Sequence, residues 1–230
     1  MRTLLVSKIS LSLFFLLLFT APCFSKHDVG IQVCQSEAYT LYNELQLEQL
    51  GLNQSVFAKA LKGWSELKRQ NLLRSNVLSI VDLSQSSNSK RLYVIDMEKK
   101  ELLFNTYVAH GRNSGQEFAL DFSNELNSYK SSLGFYLTDE TYQGIHGLSM
   151  RLKGMEKGIN DIAEQRGIVM HGAPYVSESF IQQNGRLGRS QGCPAVMEEL
   201  CEPIINSIKG GSCFFMFYPE ATYIENSKLL

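Results

Sequence analysis

Residues 77–108 read VLSIVDLSQSSNSKRLYVIDMEKKELLFNTYV. Val77–Val81 and Arg91–Ile95 are short runs rich in β-branched and aromatic residues, bounded by polar turn residues, which is the texture of strands. Asp96–Lys100 reads as a turn into Leu102–Val108, giving a hairpin. Outward from it, Gly134–Thr138, Leu148–Leu152 and Gly167–Met170 are further strand candidates, and Cys213–Tyr218 reads as a final buried strand. Helical periodicity is confined to the flanks. Residues 36–50 and 54–70 read as helices, the second carrying Phe57, Leu61, Trp64 and Leu67 at helical spacing. Pro194 is expected to open another helical stretch, with Pro203 limiting or kinking it and Gly210-Gly211 ending it. The expected fold is mainly β (α+β), with an N-terminal helical extension and a helix after Cys193.

The chain has 230 residues. Arg2 and Lys8, the apolar run Leu11–Phe19 and the triplet Cys23-Phe24-Ser25 have the order of a secretory signal ending at residue 25. The run is shorter than the roughly 20 residues a membrane span needs, and Pro22 disfavours a lipid anchor on Cys23. The expected organisation is a signal over 1–25, a helical extension over 26–72, a β-rich domain over 73–220 and a tail over 221–230. No stable membrane insertion is expected after cleavage. The remainder is slightly acidic and lacks a basic stripe, which argues against nucleic acid as a partner. Four cysteines follow the signal: Cys34, Cys193, Cys201 and Cys213. In an oxidising compartment thiols tend to pair, and Cys201 with Cys213 is one arrangement among several. The absence of a CxxC pair or an HExxH motif argues against a metal site.

Two segments carry chemistry: Ile168-Val169-Met170-His171-Gly172, and Gly185-Arg186-Leu187-Gly188-Arg189-Ser190-Gln191-Gly192-Cys193-Pro194-Ala195. A thiol attacks carbonyls as its thiolate, and its ordinary pKa lies near 8.5. With Pro194 at the first position of a helix, Cys193 would be its N-cap, where free N–H groups favour negative charge. The Gly192 and Cys193 amides are the expected oxyanion hole. His171, at a strand end, is the expected base, oriented by a backbone carbonyl such as that of Gly172. Arg186 and Arg189 are candidate carboxylate ligands. His146, His110 and Tyr142 are weaker candidates for the cleft wall.

The His-Gly followed by Ser-x-Gly-Cys resembles the signature of the L,D-transpeptidase (YkuD-type) family. The chain is similar to its murein L,D-transpeptidase catalytic domain branch through Val108-Ala109-His110-Gly111, Phe122-Ser123-Asn124, Ser131–Tyr136, Tyr142-Gln143-Gly144 with His146-Gly147, and the Gly185–Ala195 block. The likeness runs from about Leu45 to Tyr218. It implies a YkuD-like β-sandwich or barrel in which Cys193 is the nucleophile, His171 the general base and Gly172 the orienting carbonyl. It assigns the oxyanion hole to Gly192 and Cys193, and Ser190 to the hydroxyl that opens the motif. It also implies peptidoglycan stem peptides as substrate, no metal or organic cofactor, and a place in the periplasm or cell envelope. Gln191 stands where the wider family has His. The competing readings are a hydrolase on the same scaffold (an L,D-carboxypeptidase, or an amidase freeing wall-attached protein), a non-catalytic wall-binding module, and a thiol-rich metal-binding protein.

Overall fold

The strand Cys213–Phe217 contains no charged residue and all five of its side chains are buried, as expected of a strand covered on both faces. It is the middle of the molecule. The computed structural model describes residues 38–230, so the expected signal and Cys34 lie outside the described residues. The described elements are α1 (38–44), α2 (Gln54–Arg69), β1 (Val77–Asp82), β2 (Leu92–Asp96), β3 (Glu101–Thr106), β4 (Gly134–Gly144), β5 (Gly147–Gly154), β6 (Val169–Gly172), α3 (Glu178–Asn184), β7 (Ala195–Val196), α4 (Glu198–Ile208), β8 (Cys213–Phe217) and α5 (Ala221–Asn226).

The strands form one eight-stranded sheet in the order β3-β2-β1-β8-β4-β5-β6-β7. β1 runs parallel to β8 and β6 parallel to β7; the other neighbours are antiparallel. Beyond β3 the chain bends back and Ala109 bridges Ala195 on the opposite edge, while Gly111 bridges Ser190. The result is the mainly β, nearly closed, barrel-like sheet with a few helices that the resemblance implied.

α2 lies on this sheet. Asn53 caps it by accepting from the Ser55 N–H at 2.8 Å, and Val56, Phe57, Ala60, Gly63 and Leu67 form its buried stripe. Leu61 and Trp64, expected on that face, are only half-buried. At Gly63 the helix comes so close that a β-carbon would stand 2.1 Å from Phe135 Cζ. Phe135 in turn stacks on Phe215 at 4.0 Å, and burial of each such ring contributes roughly 1.5–3 kcal/mol.

One expectation needs correction, and one cysteine pairing left open is absent. Residues 221–230 are not a bare tail, because α5 and the residues after it bury Tyr223 and Leu229. The Tyr223 hydroxyl and the Ser227 hydroxyl both donate to the buried Glu156 carboxylate. Cys201 on α4 and Cys213 on β8 are free rather than paired. Among the described residues no helix is long and apolar enough to cross a membrane.

β4 and β5 continue past the core as a hairpin. The register shifts between Thr138 and Thr141, after which β4 is exposed to its end. Gly144 pairs with Gly147, leaving Ile145 and His146 as a two-residue loop at the tip. Ile145 is 97% exposed there.

Candidate functional site

Three segments meet at the edge where the sheet nearly closes. β6 brings His171 between Ser149 of β5 and Ala195 of β7. The turn before β7 carries Ser190–Cys193, and the β4–β5 hairpin reaches over from the side. Together they enclose a cleft of about 490 Å³. Tyr142, Ile145, His146, Arg166, His171, Tyr175, Arg189, Ser190 and Cys193 are on its wall. No Asp or Glu among the described residues lines it.

His171 is 4% exposed, and its Nδ1 lies 2.8 Å from the Gly172 carbonyl oxygen. A carbonyl only accepts, so Nδ1 carries the proton and Nε2 has the free lone pair. The His146 ring stacks on that of His171, with centroids 4.4 Å apart and planes at 21°. Burial pushes the His171 imidazole below its ordinary pKa, against a pull upward from the Gly172 carbonyl and with a smaller push downward from His146. The ring therefore rests neutral at neutral pH.

Cys193 is a free, half-buried thiol whose sulfur is 3.6 Å from the Gly167 carbonyl. It is not a helix N-cap. Pro194 leads into β7, where Ala109 N–H donates to Ala195 O at 2.8 Å and Ala173 N–H to Val196 O at 3.0 Å. α4 begins only at Glu198, after Met197. Strand pairing on both sides of Ala195 overrides the helix-opening preference of Pro194. Burial raises the thiol pKa above its ordinary value; the Val169 N–H, the Arg166 charge and the residue's own N–H pull it down.

The turn is held by the Ser190 hydroxyl. It accepts from the Gly192 N–H at 3.0 Å and donates to the Cys193 carbonyl at 2.6 Å. Gly192 adopts φ +122°, and a β-carbon there would stand 2.8 Å from the Lys130 carbonyl, so only glycine fits. Two consequences bear on the expected roles. The Gly192 N–H is already committed to Ser190, leaving the Cys193 N–H, with that of Val169, to face the sulfur. Ser190, though on the wall, spends its hydroxyl proton inside the turn.

The two candidate arginines part company. Arg189 lines the cleft, with Nη1 donating to the carbonyls of Arg112 and Gly115. Arg186 does not line it; its Nη1 donates to the neighbouring Leu187 carbonyl. Tyr142 and His146 reach the wall through the hairpin, whereas His110 stands behind the turn and carries it. The His110 carbonyl accepts from Ser190 N–H at 2.9 Å, and its Nδ1 accepts from Arg91 Nη2 at 2.8 Å. Arg166, Tyr175 and Tyr129 are wall residues that sequence reasoning missed. Arg166 sits five residues before His171 in a stretch with no recognisable pattern, and Tyr175 looks like any turn aromatic.

His110 makes this support acid-labile. Burial, reinforced by the Arg91 charge, pushes its pKa down to about 3. The unfolded chain takes up this proton near pH 6.5 and the native protein only near 3. Stability tied to His110 is therefore complete above pH 6.5 and lost as pH falls toward 3, by on the order of 5 kcal/mol at most. His171 adds to the same trend. Melting temperature should fall steadily from pH 7 to pH 4, and the fall should be shallower in His110→Asn, whose amide oxygen can still accept from Arg91. An equal slope in both proteins would exclude His110 as the cause.

A sequence profile of the L,D-transpeptidase catalytic domain matches residues 48–217. No curated protein matches the chain. Among solved structures, an L,D-transpeptidase from Mycobacterium smegmatis is similar with a TM-score of 0.40 and 12% identity, over 63% of this chain and 59% of that one. The helical cell shape determining protein of Campylobacter jejuni gives 0.42 and 18%, over 70% and 55%. L,D-transpeptidase 3 from Mycobacterium tuberculosis, in complex with a faropenem-derived adduct, gives 0.39 and 15%, over 62% and 60%. The chain thus spans less than two thirds of the length of each of these structures.

Proposed function

Because the chain belongs to the L,D-transpeptidase catalytic domain family, we propose that it is a cysteine acyltransferase acting on the tetrapeptide stems of peptidoglycan. The observation that carries this reading is the shared cleft. A free thiol, Cys193, and a histidine with its lone pair fixed by the Gly172 carbonyl, His171, open onto one cavity that no carboxylate among the described residues lines. A wall-binding module needs neither group.

In the proposed reaction the pair rests neutral, because burial raises the thiol and lowers the imidazole. His171 Nε2 takes the thiol proton as Cys193 Sγ attacks the carbonyl carbon that follows the L-centre of diaminopimelate. The developing oxyanion is met by the Cys193 N–H. The C–N bond breaks, His171 returns the proton to the departing D-alanine nitrogen, and a thioester remains. An acceptor amine then attacks that carbonyl and gives its proton to His171, and the sulfur leaves as thiolate and takes that proton back from His171, restoring the neutral pair. The cationic wall at Arg189 suits a carboxylate-bearing peptide. No metal or organic cofactor enters this scheme. Such a substrate places the protein in the cell envelope, and residues 1–25 are proposed as the export signal.

The test is incubation of the protein lacking residues 1–25 with tetrapeptide-bearing wall fragments, with products identified by mass spectrometry. Dimers linked through diaminopimelate are expected. Tripeptides alone would shift the reading to a hydrolase on the same scaffold, and unchanged fragments would overturn it.

A further inference from the structure

Arg166 is half-buried beside the nucleophile's turn, and its surroundings are unusual for a cation. Its Nη1 donates to the Ser123 carbonyl at 2.6 Å and to the Ser132 hydroxyl. Its Nη2 donates to the Ser128 hydroxyl at 3.1 Å and to the Lys130 carbonyl at 2.6 Å. All four acceptors are neutral and all lie in the polar loop between residues 123 and 132. No carboxylate is paired with it among the described residues. The same guanidinium lines the cleft with Cys193, and Nη2 lies 3.5 Å from where a Gly192 side chain would begin.

These facts exclude one role and indicate another. A guanidinium has five N–H bonds, and here the four terminal ones are spent on the loop, so with Nε–H alone remaining it cannot clasp a substrate carboxylate through its terminal fork. What reaches the cleft is its charge. Lacking a carboxylate to cancel it, and standing in a partly desolvated place, that charge acts at close range. Among the described residues, the other titratable or charged groups facing the cleft are His146, His171, Arg189, Tyr129, Tyr142 and Tyr175. None of them is a carboxylate that would neutralise it.

We propose that Arg166 is a positioning residue with two linked duties: it straps the 123–132 loop into place as the cleft wall and holds an uncompensated positive charge toward Cys193 that favours the thiolate. This rests on the reading of Cys193 as nucleophile. It also supplies from a side chain the electrostatic help expected of a helix terminus that is not there.

The experiment is the pH dependence of Cys193 alkylation by iodoacetamide, followed by mass spectrometry, in the wild type, Arg166→Gln and Arg166→Lys. Gln keeps amide donors for the loop but no charge; Lys keeps the charge as a point cation and loses the fork. The apparent thiol pKa should rise by about one unit or more in Arg166→Gln, cutting alkylation at neutral pH about tenfold, and stay within about half a unit of wild type in Arg166→Lys. A thiol pKa unchanged in Arg166→Gln, or raised equally in both variants, would overturn the electrostatic duty. Should Arg166→Gln fail to fold, Arg166→Lys decides alone: a rise of one unit or more overturns the proposal and a near-wild-type value supports it. Failure of the underlying reading looks different. Wild-type protein that forms no wall-peptide dimers or tripeptides would refute the nucleophile assignment whatever the thiol pKa.

Discussion

Cys193→Ala is expected to form no covalent adduct with a carbapenem and to lose turnover of tetrapeptide fragments by at least about a thousandfold. The argument is chemical. Of the cysteines in the described residues, Cys193 alone opens onto the cleft; Cys201 and Cys213 are buried, and burial raises their thiols, Cys201 to about 11. Neither can substitute as nucleophile. The substitution removes one sulfur from a half-buried position, and the bonds that hold the turn, from Ser190 to Gly192 and Cys193, involve only backbone and the serine. Melting should therefore be nearly unchanged. Intact-mass spectrometry after carbapenem exposure is the direct measurement. A drug-sized mass gain on the alanine variant would show that another group is being acylated, and the site assignment would be lost.

His171→Gln should lower turnover by about 10²–10⁴-fold and, more tellingly, change the shape of the pH profile. In the proposed mechanism, wild-type activity requires the neutral imidazole. Burial places its pKa below the ordinary 6.5, so activity should persist into mildly acidic buffer and fall only as pH drops through that depressed value. Glutamine cannot take a proton, so the variant should lack this acidic limb. Its residual rate should climb with pH toward ionisation of the thiol, which burial has raised above its ordinary value. Turnover measured from pH 4.5 to pH 10 in both proteins separates a base from a mere scaffold residue. A variant that retains the acidic limb would point to a different titrating group, with His146, stacked on the same ring, the first to examine.

Much of this architecture is legible in local patterns. The strands at 77–81 and 91–95 announce themselves through β-branched and aromatic content, and the helix at 54–69 through the recurrence of Phe57 and Leu67 on one side. The extension of β4 beyond Thr138 is not legible, because its outer half is polar and gains strand geometry only from its partner β5. The misplacement of a helix at Pro194 has the same origin: local preference favours a helix, whereas Ala109 and β6 impose a strand from both sides. At the site, His171 and Cys193 stand out because their neighbours are glycines in a rare arrangement. Arg186 draws attention by its place in the Gly185–Ala195 block and Arg166 draws none, yet the folded chain turns Arg166 to the cleft and Arg186 to its neighbour's backbone.

The bridges from Ala109 to Ala195 and from Gly111 to Ser190 join stretches that are far apart along the chain. Contacts of that kind are entropically costly to close and form after local hairpins. A chain still in extended form therefore carries Cys193 as an unremarkable solvent-exposed sulfhydryl with no histidine beside it. The proposed chemistry therefore becomes available only when β6 lies beside β7, which sets His171 opposite Ala195, two residues after Cys193.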